Sequence, residues 1–181
     1  MKKNILCIAI LVAMAGCASV TPTRYYTLNM TPSANATSTA ALQVDRVIVS
    51  QALSRKEILI KKSTTEVEYY ASDQWVAGLD QLVAQKLNAE FGHPSAENAN
   101  VIPLFVTVQG FEQIDTASGA DAFLQLVIEA RKPGESVRDQ PFFSQVFEIR
   151  KSISGNKAPD VVQALSAGLE EVALQLAEAL S

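Results

Sequence analysis

Residues 101–130, VIPLFVTVQGFEQIDTASGADAFLQLVIEA, decide the fold. Apolar side chains alternate with others in the second part of this stretch, at Ala122, Leu124, Leu126, Ile128 and Ala130. A period of two is typical of a strand with one buried face. Residues 101–112 are also apolar enough for a long strand, and residues 115–119 have the small and polar composition of a hairpin loop. We therefore predict two long antiparallel strands joined by that loop.

Five further segments also have the composition of strands. They cover residues 24–28, 42–50, 57–62, 65–70 and 142–153. The third and fourth are predicted to form a hairpin around Ser63 and Thr64. Within 42–50, simple alternation places Leu42, Val44, Arg46 and Ile48 on one face and Val47 and Val49 on the other.

Two segments have the apolar period of amphipathic helices. The first stripe consists of Trp75, Leu79, Leu82, Val83, Leu87 and Phe91. Ser72 or Asp73 is predicted to cap its start, and Gly92 to end it. The second helix is predicted to open at Asp160, with Gln163 placed for a capping box and an apolar stripe from Val162 to Leu180.

The order of these segments is strand, strand, hairpin, helix, three strands, helix. Two helices cannot cover so many half-apolar strands by packing only against each other, so we expect them to pack on a mixed sheet. No internal repeat and no second domain are evident. The sequence thus predicts one α/β domain over residues 24–181.

The N-terminus resembles the signal of a bacterial lipoprotein. Lys2 and Lys3 precede a short apolar run, and Met14-Ala15-Gly16 stand immediately before Cys17. The apolar run is about half the roughly 20 residues of a spanning helix, so we expect it to be removed. The expected products are a signal peptide over 1–16 and a lipidated tether over 17–23. An ordinary signal peptide that happens to precede a cysteine is the alternative.

The lipoprotein resemblance implies acylation of Cys17 and a location. Three acyl chains on the new N-terminus would hold the chain firmly, since each buried CH₂ contributes about 0.8 kcal/mol. Ala18 follows the cysteine where an aspartate would favour retention in the inner membrane. By resemblance to Gram-negative lipoproteins, this implies the periplasmic face of the outer membrane.

Composition narrows the classes of function. The chain has 15 basic and 19 acidic residues, a formal net charge of −4. Loss of Lys2 and Lys3 with the signal leaves 13 basic residues and a charge of about −6, which disfavours nucleic-acid binding. Cys7 would leave with the signal and Cys17 would carry lipid, so no thiol would remain for a disulfide, a metal or a nucleophile.

Catalytic patterns are weak in this sequence. His93 is the only histidine, so a serine–histidine hydrolase would have to depend on it. There is no Gly-x-Ser-x-Gly elbow, no phosphate-binding glycine loop and no metal-ligand spacing. We expect a protein that is not an enzyme and that carries no cofactor or metal.

Two basic pairs and one tryptophan are candidate contact residues. Arg55-Lys56 and Lys61-Lys62 lie near the predicted hairpin and could meet anionic lipid headgroups or an acidic partner. The alternative is that these charged pairs prevent an exposed edge strand from pairing with another chain. Trp75 is a candidate partner contact, and its alternative role is that of a core anchor.

Several motifs, in their order, resemble the ABC-type transport auxiliary lipoprotein family of the paraquat-inducible protein C type. After Cys17 comes Arg24-Tyr25-Tyr26-Thr27-Leu28, then Leu53-Ser54-Arg55-Lys56-Glu57-Ile58. Trp75 with Leu79 and then Phe111-Glu112 follow. The family's frequent proline before the second motif is absent around Ser50-Gln51.

This resemblance implies a fold and a role. The fold would be a three-layer, sandwich-like α/β domain with a mixed sheet and two principal helices. The role would be a non-enzymatic component that works with inner-membrane transporter components and an MCE (mammalian cell entry) domain protein that conducts lipid. Self-association is a further option, and a periplasmic carrier of lipid or another hydrophobe is the alternative function.

Overall fold

The computed structural model describes residues 21–32, 41–92, 101–136 and 138–180. Its seven strands are β1 (Arg24–Tyr26), β2 (Leu42–Val49), β3 (Glu57–Lys61), β4 (Val67–Trp75), β5 (Ile102–Thr116), β6 (Gly119–Ala130) and β7 (Phe143–Ile153). Two α-helices, α1 (Leu79–Phe91) and α2 (Ala158–Ala179), and a 3-10 turn (Gln51–Leu53) complete the described elements. The predicted α/β class is confirmed.

One mixed sheet contains all seven strands, and β5 is at its centre. The strand order is β1-β4-β3-β5-β6-β7, and β2 also pairs with β5. The predicted hairpin of β5 and β6 is confirmed, but its loop is shorter than the predicted 115–119, because Thr116 already pairs with Gly119. The other edge of β5 is shared, because β2 pairs in parallel with its first half and β3 with its second. The β3–β4 hairpin is also confirmed.

Both helices lie on one face of the sheet. Helix α1 packs on β2, α2 packs on β6 and β7, and the two helices contact each other. The described residues therefore supply two of the three predicted layers, one of helices and one of strands. The opposite face of the sheet, which we call the open face, carries no helix within the described ranges.

The core lies between that helical layer and the sheet. The predicted alternation in β6 is confirmed, because every second residue from Ala120 to Ala130 is buried. The α2 stripe is buried too, with Leu165, Leu169, Val172 and Leu176 at its centre. Gly168 allows α2 to approach the sheet closely, since a Cβ there would collide with the Leu124 side chain.

The predicted faces of β2 are wrong beyond Val44. Asp45 is an extra residue in the pairing with β5, because Val44 is opposite Leu104 and Arg46 is already opposite Phe105. Such a bulge shifts the alternation by one position. Val47 therefore joins Leu42 and Val44 on the helical face, and Arg46 and Ile48 point to the open face.

The predicted start of α1 is wrong. Strand β4 continues through Ser72 and Asp73 to Trp75, and α1 begins at Leu79 with Gly78 as its N-cap. The end is as predicted, because Gly92 has a φ of 74°, a left-handed conformation that glycine adopts without strain.

The second helix also starts earlier than predicted. Lys157 is the N-cap of α2 and makes no side-chain capping bond. Pro159 lies in the first turn, where its missing N–H costs nothing. Asp160 is therefore a first-turn residue, and the predicted capping box with Gln163 is not formed.

Candidate functional site

The first basic pair lies at the start of β3, where Arg55 is held by its neighbours. Its Nε is 3.2 Å from Glu57 Oε2, and its guanidinium lies 4.3 Å from the centre of the Tyr69 ring. The Tyr69 hydroxyl in turn donates to the Ala52 carbonyl at 3.0 Å. Hydrogen bonding to Glu57 raises the pKa of Arg55. Lys56 is exposed, and it makes no ion pair with any residue in the described ranges.

The second basic pair lies at the end of β3, near the hairpin turn. Lys62 Nζ is 2.7 Å from Asp115 Oδ2 and 3.8 Å from Glu68 Oε2. The hydrogen bond from Lys62 lowers the pKa of Asp115. Lys61 is half-buried and makes no ion pair within the described part of the chain.

The structure does not bring the two pairs together into one patch. They flank β3 at its two ends, and five residue steps of strand separate Lys56 from Lys61 by roughly 17 Å. One pair lies near the end of β4 at Trp75, and the other lies near its start at Val67.

Trp75 is a core residue at the end of β4. Its side chain is 2% exposed, and its ring centroid is 5.8 Å from that of Phe111. Its backbone N–H donates to the Lys56 carbonyl at 2.7 Å. Trp75 therefore contacts two other family motifs inside the protein, one at Lys56 and one at Phe111. It exposes almost no surface to a partner.

A clamp that the sequence did not reveal fixes the N-terminal strand to the sheet. The Asp73 carboxylate is nearly buried, and it accepts from the Tyr26 hydroxyl at 2.8 Å and lies 2.8 Å from Arg24 Nε. Strand β1 pairs in parallel with β4 at the same place. Burial and the bond to Asp73 both raise the pKa of Tyr26. Sequence reasoning assigned Asp73 to a helix cap, so only the pairing of β1 with β4 identifies its role.

The segment after β1 is attached to both helices. Leu28 is 1% exposed, and the Asn29 N–H donates to Ser166 Oγ of α2 at 3.1 Å. The Thr31 carbonyl accepts from Lys86 Nζ of α1 at 3.2 Å. The chain entering at Arg24 is therefore tied to the sheet first and to the helical layer within seven residues.

Two residues of the sequence hypotheses lie outside the described residues. Cys17, the predicted lipidation site, and His93, the residue on which a hydrolase would depend, are in these parts of the chain. Their predicted roles stay predictions.

A surface groove of about 520 Å³ lies between residues 26–30 and the start of α2, where Leu28, Met30 and Val162 line it. In the described ranges no group of three acidic, histidine or cysteine side chains is placed to hold a metal ion. Neither described helix is long and apolar enough to cross a bilayer.

The chain is an α/β domain in which a seven-stranded mixed sheet carries two helices on one face and a clamped strand at its N-terminal edge. Within that class the sequence matches a family model, ABC-type transport auxiliary lipoprotein component, over residues 26–177. The chain belongs to this family of transport auxiliary lipoproteins, as its motifs predicted. Membership indicates a lipoprotein attached to a membrane and associated with an ABC-type transporter.

Two solved structures share the fold. One is the crystal structure of an uncharacterised protein that is 18% identical, with a TM-score of 0.70, over 89% of this chain and 100% of its own. The other is a Xanthomonas campestris protein of family DUF330 that is 16% identical, with a TM-score of 0.66, over 85% of this chain and 91% of its own. At these identities the likeness concerns the fold alone. No curated protein matches the chain.

Proposed function

We propose that this protein is an outer-membrane-anchored periplasmic lipoprotein that docks an MCE-type intermembrane lipid transport system. It acts by binding and not by catalysis. The observation that carries the proposal is the family match over residues 26–177, which begins nine residues after the predicted lipidation site at Cys17.

The tether keeps the domain close to the bilayer. Residues 18–23 reach at most about 20 Å when fully extended. Arg24 and Tyr26 both bind Asp73 of β4, so they attach the end of the tether to the sheet. A lipid at Cys17 would therefore keep β4 near the membrane. Because β1 is parallel to β4, the chain enters it from the side of the β3–β4 turn. We therefore place Lys61 and Lys62 on the membrane side, where they would face anionic headgroups.

Docking is the role that suits a domain of this size. About 160 residues give a radius of gyration of roughly 15 Å, which is too small to bridge two membranes. An anchored domain instead raises the local concentration of a larger partner at its membrane. Arg55 and Lys56 lie at the end of β3 away from the turn, and we assign them to the acidic surface of that partner.

Affinity purification of the full-length chain from cross-linked cell envelopes tests the proposal. An MCE-domain protein is expected among the cross-linked products. Reversal of both charges at the partner end, Arg55→Glu with Lys56→Glu, is expected to reduce its recovery at least threefold, a loss of about 0.7 kcal/mol or more. The matched control reverses the exposed Lys132 and Lys157, which is the same change of charge away from β3.

Two results would count against this account. Absence of any MCE-domain protein from the wild-type products would remove the docking role. Equal losses in the two double variants would keep the role but remove the assignment of the partner surface to Arg55 and Lys56.

A further inference from the structure

A pocket of about 250 Å³ lies on the open face, over the first half of β5. Side chains from β2, β5 and the end of β6 line it, and they are Arg46, Ile48, Phe105, Thr107, Glu129 and Arg131. Because β5 pairs with both β2 and β6, its own side chains form the floor of the pocket. The side chains of the other two strands form the two walls.

The bulge at Asp45 brings Arg46 into this pocket. Without the extra residue, the alternation that buries Leu42 and Val44 would carry Arg46 to the helical face. Bulges are common beside functional sites, where they redirect a side chain. Arg46 lies opposite Phe105, is exposed, and makes no ion pair with another described residue. The bulge therefore places an uncompensated cation at one wall.

The opposite wall is fixed in position. The Arg131 side chain is 6% exposed, and its Nη2 is 2.7 Å from Glu129 Oε2. Its guanidinium lies 4.8 Å from the centre of the Phe105 ring, and its Nε donates to the Asp139 carbonyl at 3.2 Å. Both contacts of Arg131 with Glu129 use Oε2. Glu129 Oε1 makes no hydrogen bond with another described residue, so it is available to accept one from a ligand.

The charges of the lining favour a ligand with one negative charge. Arg131 and Glu129 compensate each other, so the charge of Arg46 remains. A guanidinium donates through a planar fork, which matches an anionic group with two equivalent oxygens. A dianion such as a phosphomonoester would also be repelled by Glu129. The suitable anions are therefore a phosphodiester or a carboxylate.

The spacing of the two walls adds a second requirement. Arg46 and Glu129 both lie opposite Phe105, on its two neighbouring strands, so their Cα atoms are about 10 Å apart. A ligand can thus hold its anion at Arg46 and a hydroxyl or amino group at Glu129. The ring of Phe105 and the exposed Ile48 offer apolar surface to the carbons in between. The volume favours a phosphodiester, because a small hydroxy acid would leave much of the pocket empty.

We propose that this pocket binds a phosphodiester of the glycerophosphoethanolamine or glycerophosphoglycerol type, with its phosphate at Arg46 and its amine or hydroxyl at Glu129. Such a group exists free in solution and as the headgroup of a phospholipid. The site goes beyond the proposed docking role and uses none of its residues.

The position of the pocket restricts how a lipid would reach it. Nine residue steps of β5, roughly 30 Å, separate Thr107 from Thr116, at the end of the sheet that carries the β3–β4 turn. In the proposed orientation that end faces the anchoring membrane. A phospholipid headgroup would therefore enter the pocket only after its lipid had left that bilayer.

Isothermal titration calorimetry of the full-length chain in an uncharged detergent tests the site. Glycerophosphoethanolamine is expected to bind with a dissociation constant below about 1 mM. Glycerol 3-phosphate and lactate should bind at least about tenfold more weakly, since one is a dianion and the other fills the pocket poorly. Arg46→Ala should weaken the binding of glycerophosphoethanolamine at least about tenfold, because it removes charge-assisted hydrogen bonds.

The matched control for this variant is Arg150→Ala. Arg150 is also an arginine of the open face, with its guanidinium 5.2 Å from the centre of the Phe123 ring, but it does not line the pocket. Its replacement should leave the dissociation constant unchanged. Arg46 is exposed, so circular dichroism should show that both variants are folded.

Glu129→Gln tests the selection by charge. The amide keeps an acceptor for Arg131 but removes the negative charge, so the lining gains one positive charge. Glycerol 3-phosphate is expected to bind this variant about tenfold more tightly than it binds the wild-type chain. Glycerophosphoethanolamine should bind more weakly, because its ammonium group loses a carboxylate. A purely structural role of Glu129 would weaken the binding of both compounds.

Native mass spectrometry of the full-length chain from cell envelopes distinguishes the two sources of the ligand. A non-covalent phospholipid on the wild-type chain that is lost in Arg46→Ala would identify a lipid headgroup. A wild-type chain without such a lipid that still binds glycerophosphoethanolamine would identify a soluble phosphodiester.

Three outcomes would overturn the proposal. They are a wild-type chain that does not bind glycerophosphoethanolamine, an Arg46→Ala variant that binds it as tightly as the wild-type chain, and equal affinities of the wild-type chain for glycerophosphoethanolamine, glycerol 3-phosphate and lactate.

Discussion

At the scale of the residue, Lys86 is the most unusual side chain in the described core. It is fully buried, pairs with the buried Glu90 and lies 2.9 Å from Glu170 Oε1 of α2. A buried ion pair gains little net free energy, but removing one partner leaves a charge without compensation. Lys86 therefore ties α1, α2 and the segment at Thr31 into one arrangement.

Replacement of this lysine is predicted to be costly. Lys86→Met should reduce the free energy of unfolding by about 3–5 kcal/mol, because Glu90 would lose a buried cation. The measurement is urea unfolding followed by circular dichroism, with the exposed Lys132→Met as the control. A loss below about 1 kcal/mol would show that the ion pair does not hold the helices together.

Glu112 gives a prediction about pH. Its carboxyl is buried, and burial raises its pKa above the usual value although the Phe111 N–H donates to it. Ionisation therefore opposes folding, and the stabilising neutral form is lost as the pH rises through the raised pKa. Glu112→Gln should accordingly be more stable than the wild-type chain at pH 7, and the difference should shrink towards about pH 4.

Unfolding midpoints of this variant at the two pH values check the sign. Glu66→Gln, an exposed glutamate on the β3–β4 turn, is the control and should show no such trend. A Glu112→Gln variant that is least stable relative to the wild-type chain at pH 7 would contradict the account of the buried carboxyl.

At the scale of the element, the bulge in β2 makes a prediction about deletions. Removal of Asp45 should be tolerated, at a cost below about 1.5 kcal/mol, because every remaining side chain keeps its face. Removal of Gln43 is the matched control. It should turn the buried Leu42 towards the open face and cost about 2–3 kcal/mol, the value of burying a leucine. Equal costs in urea unfolding would contradict the assigned bulge.

Two elements show which structural features local sequence patterns predict and which they do not. The hairpin of β5 and β6 was predicted well because its alternation and its turn are local features. The start of α1 was not, because the three- and four-residue spacing from Trp75 to Leu79 resembles a continuing helix. What decides that boundary is the contact of Asp73 with Arg24 and Tyr26, which are 49 and 47 residues away along the chain. No local pattern contains such a contact.

In the candidate site, too, the sequence predicts local features but not those that depend on contacts between distant residues. The sequence identified the two basic pairs near the β3–β4 hairpin. It did not show how far apart they lie, because that distance depends on the strand that separates them. It proposed both a surface and a core role for Trp75, and only its packing on Phe111 distinguishes the two. The clamp at Asp73 depends on the pairing of β1 with β4, which composition does not determine.

At the scale of the whole molecule, we propose a domain that is held at its N-terminal strand and binds its partner at a different part of the sheet. The N-terminal strand is tied to β4, and the segment after it is tied to both helices, within a few residues of the predicted tether. The proposed partner surface lies at the start of β3. The proposed docking role depends on the predicted lipid anchor at Cys17.

Intact mass spectrometry of the natural protein, isolated from separated membrane fractions, tests that anchor most directly. We expect a chain in the outer-membrane fraction that begins at Cys17 and carries the mass of three acyl chains. A Cys17→Ala variant should lose that mass and leave the membrane fraction. A natural protein that begins at any other residue, or that carries no acyl chain, would contradict the central claim.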